Sequence, residues 1–444
     1  MEDLCPDAFS LYERCISRGV VEYLQKQVGV KVRRSIYTTR VVLWLMIVQR
    51  LQTAGTLASC VEAFVNGAAD SLLSRCERAQ QKRISRNTGG YIHARQRLPK
   101  LLCRQVLAEL VTRLREILNP GEGPAAYLLD GSSLELEASP SLRRVYPPGM
   151  NRLGNAHWPI LRIVVLHELE TGLAQEPSWG PMYGTDRASE QQLAERSMKA
   201  LPPGSVVVGD RNFGVFSIAW QAQQRGLDVV IRMTDERARK VAGEPISVEG
   251  ERTVRWQASR FDGRRQGGMP EGAAVEGRLL AKRIGQGQSK EWLYLFTTLR
   301  LPQAEVMALY GKRWRIETDL RALKRTVRLQ HIAARNESMM EKELLTAVAA
   351  YNLVRAVMAL AARRHNIPPR QLSFTFVLNV VNASWHRLQT ATSPNAYQRE
   401  VERMLDAAAQ GVLPKRKKRR SYPRAVWHRG SAFARHKQHP PDTI

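Results

Sequence analysis

Three acidic residues stand where a sheet and a helix could assemble carboxylate chemistry. Asp130 closes an apolar run in Leu129-Asp130-Gly131-Ser132, and Asp210 closes another in Gly209-Asp210-Arg211-Asn212-Phe213. Carboxylates at the carboxyl ends of neighbouring strands can converge on one side of a sheet, although Asp is also common where a strand enters a turn. The third acid, Glu317, lies in a segment read as one helix from Tyr310 to Lys324. At roughly 100° per residue, Tyr310, Arg313, Glu317 and Lys324 fall within about 60° of arc. Ile316, Leu320, Leu323 and Val327 form an adjacent apolar stripe that would pin this helix to a sheet, and Asp319 points away from Glu317. A surface charge ladder, with Glu317 merely paired to Arg313, leaves the shared strip of aromatic, cation, acid and cation unexplained. Three carboxylates suit a two-metal phosphoryl-transfer site, in which two Mg²⁺ (or Mn²⁺) ions about 3.5–4 Å apart activate the attacking oxygen and stabilise the leaving one. Arg313 and Lys324 would hold nearby phosphates, Arg through its planar fork and Lys as a point charge.

Composition supports a polyanionic partner. In 444 residues Lys and Arg number 68 against 41 acids, a net charge of +27. A 43% hydrophobic fraction argues against wholesale disorder. The apolar run Val41 to Val48, flanked by Arg40 and Arg50, is far shorter than the ~20 residues a bilayer span needs. Glu2, Asp3 and Asp7 occupy the place of a basic signal-peptide region. The five cysteines, none in a CxxC pair, disfavour a zinc ribbon or a disulfide framework. A cytoplasmic, nucleoid-associated protein with no membrane segment is expected.

The elements that must position the acids follow from hydrophobic period. Residues 1–122 read as a helical, DNA-binding N-terminal domain, with a basic stretch from Arg75 to Arg104 in which Glu77 is the sole acid. Residues 123–233 read as three strands turning back on one another, followed by αβαβ, the order of a ribonuclease-H-like (RNase H-like) core. Residues 234–300 read as a β-strand insertion, 301–345 as the return of the core with the helix of Glu317, and 346–412 as C-terminal helices. The fold class expected is α/β, an interrupted RNase H-like core flanked by all-α regions. A basic tail, 413–444, opens with Lys415, Arg416, Lys417, Lys418, Arg419 and Arg420 and interleaves Tyr422, Trp427 and Phe433, the makings of an arm that tracks a nucleic-acid backbone.

Tyr310-x2-Arg313-x3-Glu317-x6-Lys324 resembles the YREK signature of DDE transposases in the insertion-sequence-four family of bacterial elements. The Asp130 and Asp210 segments are similar to that family's first and second acidic motifs, and Ala94-Arg95-Gln96-Arg97-Leu98-Pro99 resembles its helical N-terminal domain. The resemblance implies cut-and-paste transposition: metal-dependent cleavage at element ends, passage through a DNA hairpin, and strand transfer into target DNA. It implies catalytic and metal-holding roles for Asp130, Asp210 and Glu317, with two ions per site. Phosphate contacts fall to Tyr310, Arg313 and Lys324, and further DNA contacts are expected from Arg211, Arg95, Arg97 and the tail. Lys290-Glu291-Trp292-Leu293-Tyr294-Leu295 is similar to the family segment whose Trp receives a flipped base, a role that stacking suits. The expected partners are double-stranded DNA, as terminal inverted repeats and target, and a second copy in a homodimeric synaptic complex. Competing readings are an RNase H-like nuclease that cuts but never joins, a non-catalytic transposase-derived DNA-binding protein, and a basic scaffold or RNA-binding protein.

Overall fold

The computed structural model describes residues 7–414, apart from 31–34, 53–54, 74–80, 82, 122, 152–153, 261, 263–268, 271 and 285–290. The tail cations Lys415 to Arg420, together with Arg75, Arg78, Lys82 and Lys290, therefore lie outside the described residues.

The chain opens with helices α1 (Ala8–Cys15), α2 (Arg18–Gln27), α3 (Thr39–Leu51), α4 (Leu57–Val65), α5 (Gly89–Arg97) and α6 (Lys100–Leu118). The first four begin where the side chains of Asp7, Ser17, Thr38 and Thr56 accept a backbone N–H three residues on, which satisfies a donor the helix leaves unpaired. α6 stops at Asn119, left-handed at φ 38°, one residue ahead of Pro120.

The α/β part follows as β1 (Ala126–Glu135), α7 (Pro140–Val145), β2 (Pro148–Asn151), β3 (Gly154–Glu168), β4 (Ser178–Pro181), α8 (Glu190–Ser197), β5 (Val206–Gly209), α9 (Phe216–Gln223), β6 (Asp228–Met233) and α10 (Asp235–Ala242). Then come β7 (Gly250–Gln257), β8 (Ala274–Ile284), β9 (Glu291–Thr297), α11 (Gln303–Gly311) and α12 (Arg315–Arg321). A π-helical turn (Ala322–Thr326) precedes α13 (Glu337–Arg364), α14 (Phe374–Gln389) and α15 (Pro394–Ala409).

The nine strands among the described residues join one mixed sheet in the order β2-β3-β1-β5-β6-β9-β8-β7, with β4 also paired to β3. β1, β5 and β6 are parallel neighbours, and the remaining pairs are antiparallel. This mixed α/β arrangement is compatible with the RNase H-like order. The strands expected as an insertion do lie between Asp210 and Glu317 in the chain. They continue the central sheet, however: β9 pairs with β6, and β8 and β7 follow outward. Their apolar alternation is used up on sheet faces shared with β5 and β6. Pro245–Val248, read as β, forms no strand.

Side-chain alternation divides the core between two faces. Leu128, Val206, Val208 and Val230 point to one face, where Ile316 and Leu323 and much of α13 pack with the N-terminal helices. Leu129, Val207, Val229 and Ile231 point to the other, covered by Leu193 and Ala194 of α8 and Phe216 and Ala219 of α9. By length and hydropathy α13 could cross a bilayer, but its most apolar stretch is wholly buried inside the protein. It is the axis about which the N- and C-terminal helices pack: α1, α3, α6, α14 and α15 all contact it.

Candidate active site

Register brings the two aspartates together. In the parallel pair, Leu129 of β1 lies opposite Gly209 of β5. Asp130 is the next residue of β1 and Asp210 the first residue beyond β5, so they hold neighbouring places on strands spaced about 4.8 Å apart. By alternation Asp130 shares the face of Leu128, the face on which α12 packs, and the charge of Asp210 acts on it. β5 ends at Gly209, whereas β1 runs on past Asp130 paired to β3.

Burial pushes the Asp130 carboxyl up to about 6, opposed by the Gly131 N–H bond and Arg313 and reinforced by the charges of Asp210 and Glu190. Its Oδ1 accepts the Gly131 N–H at 2.8 Å, and Asp210 Oδ1 accepts the Asn212 N–H at 2.8 Å. Each carboxylate is thus oriented by its own turn.

The segment 310–324 departs from the continuous helix expected of it. α11 ends at Gly311, Lys312 to Trp314 form a tight turn, and α12 occupies only Arg315–Arg321. Glu317 N–H reaches Trp314 O at 3.2 Å, three residues back. At the other end Val327 N–H reaches Ala322 O at 3.0 Å, five residues back, the signature of the π turn. Ile316, Leu320, Leu323 and Val327 are nonetheless all buried, as their spacing predicts. Asp319 is buried beneath them, with Oδ2 2.5 Å from Arg370 Nη1 and Oδ1 3.8 Å from Arg355 Nη2.

Arg313 ties this segment to Asp130. Its guanidinium acts on Asp130, lies 3.7 Å from Glu317 Oε1 and sits 6.0 Å from the centre of the Tyr310 ring. The Tyr310 hydroxyl is shifted upward by burial, against the pull of Arg313 and Arg232 and with a push from Asp210. Lys324, half-buried, donates to Ser132 Oγ at 2.9 Å, two residues along the Asp130 face of β1. Glu317 has most of its side chain exposed and faces Arg313.

These residues suit a hard divalent cation in donor chemistry, since burial and the neighbouring charge of Asp210 raise the proton affinity of Asp130, and positive charge would relieve both. Among the described residues, however, no three His, Cys, Asp or Glu side chains are gathered round one cation position.

Several expected DNA contacts are placed otherwise. Arg95 is buried, its guanidinium 2.7 Å from Glu343 Oε1, so it is a core cation and not a surface one. Lys100 and Arg104 from the same basic stretch pair with Glu341 and Glu176, acids distant in sequence. Arg97 and Arg211 are exposed. Trp292 opens β9 at the sheet end that carries the acids, stacked on Tyr294 (5.9 Å, 13°) with Arg283 4.8 Å from its ring centre.

Sequence reasoning missed Glu190, Asn212, Ser132 and Arg232. Arg232 follows Ile231, the register partner of Gly209, and so stands beside Asp210. Its sign was visible in the sequence, but its neighbour depended on strand pairing.

A sheet that sets two aspartates at neighbouring places, beside a segment bearing Arg313, Glu317 and Lys324, is the arrangement of the DDE class of DNA strand-transfer proteins. The family profile described as "Transposase DDE domain" matches residues 126–353, just over half the chain, from β1 into α13. The chain belongs to that family, as a transposase of the insertion-sequence-four kind. It is 27% identical over 353 residues to "Transposase InsG for insertion sequence element IS4" of Escherichia coli (strain K12), covering 76% of each chain.

Proposed function

We propose that this transposase excises and reinserts its element by cut-and-paste chemistry, with Asp130, Asp210 and Glu317 as the acids that hold two Mg²⁺ or Mn²⁺ ions. The observation that carries this reading is the strand register, which sets Asp130 beside Asp210 where Arg313 joins Asp130 to Glu317. When bound, the metal would supply Lewis-acid activation of the attacking and leaving oxygens. The chain's own residues bind and orient. Arg313, already shared between Asp130 and Glu317, can turn its fork to an incoming phosphate, and that exchange frees Glu317 for the site. Lys324, anchored on Ser132, presents a point charge beside Asp130, and Tyr310 backs Arg313.

In this reading water cuts one strand at the element end, and the freed 3′-hydroxyl attacks the opposite strand to close a hairpin. The reopened end then attacks target DNA. Trp292 would receive the flipped base. Arg97, Arg211 and the tail from Lys415 to Arg420 would add backbone contacts, and two copies would hold the paired ends. The chain would work in the bacterial cytoplasm, on the nucleoid.

The test is a labelled duplex carrying the inverted repeat that flanks the coding region, incubated with Mg²⁺ and wild-type protein beside Asp210→Ala. Wild type should yield nicked, hairpin and joined products that chelation abolishes, and the variant none. Equal cleavage by both would remove the acids from the mechanism. Cutting without joined products from a pre-cleaved end would leave a nuclease.

A further inference from the structure

We infer that Glu190 is a positioning residue of this site, holding Asp210 in place through Asn212; the inference rests on the reading of Asp130, Asp210 and Glu317 as the catalytic acids. It starts from Gly131, whose backbone has no positive φ and which is therefore needed for space. A Cβ at that position would lie 2.7 Å from Glu190 Cδ and 2.9 Å from both Cγ and Oε1. By alternation that direction is the face opposite Asp130, the face covered by α8. The slot left by glycine lets the first residue of α8 reach the strand ends from the layer behind the acids.

There Glu190 Oε2 accepts a short hydrogen bond from Asn212 Nδ2. The next residue, Gln191, donates through Nε2 to Asn212 Oδ1 at 3.0 Å and to its backbone O at 2.9 Å. Asn212 is thus clasped at both ends of its amide, and its own N–H is the donor that fixes Asp210 Oδ1 at 2.8 Å. The clasp is firmly based, because Ser189 and Gln192 form a reciprocal capping box that sets where α8 begins. From the other side Arg237 of α10 donates to Arg211 O at 3.2 Å and Gly214 O at 3.1 Å. The turn that carries Asp210 is held by two elements that contribute none of the three acids.

What Glu190 contributes is an acceptor oxygen at the right place for the Asn212 amide. Contacts behind a ligand typically alter metal affinity by about 10–100-fold when removed. Glu190 therefore acts by keeping one Asp210 oxygen committed to the turn and the other available.

The experiment uses the full chain in four single variants, Glu190→Ala, Glu190→Gln, Asn212→Ala and Gly131→Ala, with Asp210→Ala as control. Three quantities are read: cleavage of the element-end duplex against Mg²⁺ concentration, Mn²⁺ binding to DNA-free protein by calorimetry, and the thermal midpoint. Glu190→Ala and Asn212→Ala should each need about 10–100-fold more Mg²⁺ and bind Mn²⁺ correspondingly more weakly, with the midpoint little changed because both sites are partly exposed. Glu190→Gln keeps an acceptor oxygen and should stay close to wild type. Gly131→Ala displaces the Glu190 carboxyl and should match Glu190→Ala, and a further variant combining Gly131→Ala with Glu190→Ala should be no worse than either. Wild-type metal dependence in Glu190→Ala and Asn212→Ala, with Asp210→Ala inert, would overturn this inference alone. So would Glu190→Gln as impaired as Glu190→Ala, since the charge itself would then be what matters. Should Glu190→Ala fail to fold, Asn212→Ala and Glu190→Gln carry the same decision. An active Asp210→Ala would instead sink the reading beneath it.

Discussion

Lys324 and Arg95 show how residue type and residue duty part company. Burial and neighbouring Arg325 hold the Lys324 ammonium below its ordinary proton affinity, with Glu135 pulling the other way, and Ser132 Oγ fixes its position. A cation so placed is poised for a phosphate at the ends of β1 and β5. A charge-assisted contact contributes about 1.5–3 kcal/mol, so Lys324→Ala should slow end cleavage about 10–100-fold. Ser132→Ala, which removes only the anchor, should cost about tenfold or less. Single-turnover cleavage checks both, and equal effects would make the hydroxyl the working group. Arg95, equally basic in sequence, is instead part of a buried cluster in which Glu343 takes Arg95 on Oε1 and Arg50 on Oε2. It joins α5 to α13 and is buried.

At the scale of elements, α12 carries Glu317 but is only seven residues long, so its aim depends on what it docks against. The anchor is Asp319. Burial would raise its carboxyl, but Arg370 and Arg355 outweigh burial and hold it below the ordinary range. Arg370 also donates to the backbone O of Glu168 at 2.8 Å, which ties the β3 end to the same cluster. Gly172, at φ 76°, makes room for Arg355, whose Nη2 would lie 1.8 Å from any Cβ there. His167 completes the cluster, pushed down from 6.5 to about 4, chiefly by burial. Its folded-state proton affinity is lower than its unfolded one, so its contribution is fully present above about pH 6.5 and is lost as pH falls towards 4. Over that window urea unfolding should lose up to about 1.4 kcal/mol per pH unit from this one group. His167→Gln should flatten the slope between pH 6.5 and 4; an unchanged slope would show that the ring is not the proton acceptor.

At the scale of the molecule, the net charge of +27 is unevenly employed. Part of it serves internal ion pairs between the N-terminal helices and α13, as Arg50, Arg95 and Lys100 show. Six further cations are consecutive in the sequence from Lys415 to Arg420. If those six neutralise phosphates, replacing them with Ser should reduce the slope of log affinity against log salt by about 5. Fluorescence anisotropy on the element-end duplex over a salt series measures this. A slope within about 1 of wild type would remove the tail from the interface.

The sequence by itself determined many of the local facts: most of the strands and helices, where Asp130 and Asp210 end their apolar runs, and the apolar stripe that buries Ile316, Leu320, Leu323 and Val327. Those follow from hydrophobic period and turn chemistry, which act over a few residues. The YREK spacing was legible too, but the single helix inferred from it was not what forms. Tertiary packing breaks it at Lys312 and widens it into a π turn at Ala322, because burying the stripe outweighs keeping one helical register. Only the tertiary structure decided which charges meet. It paired Arg95 with Glu343, set Arg232 beside Asp210, drew Glu190 through the gap at Gly131, and joined the strands after Met233 to the central sheet. Each of those depends on strand pairing or on contact between residues far apart in the chain. Sequence spacing cannot encode such contacts, since a charge carries its sign in the sequence but finds its partner only on folding.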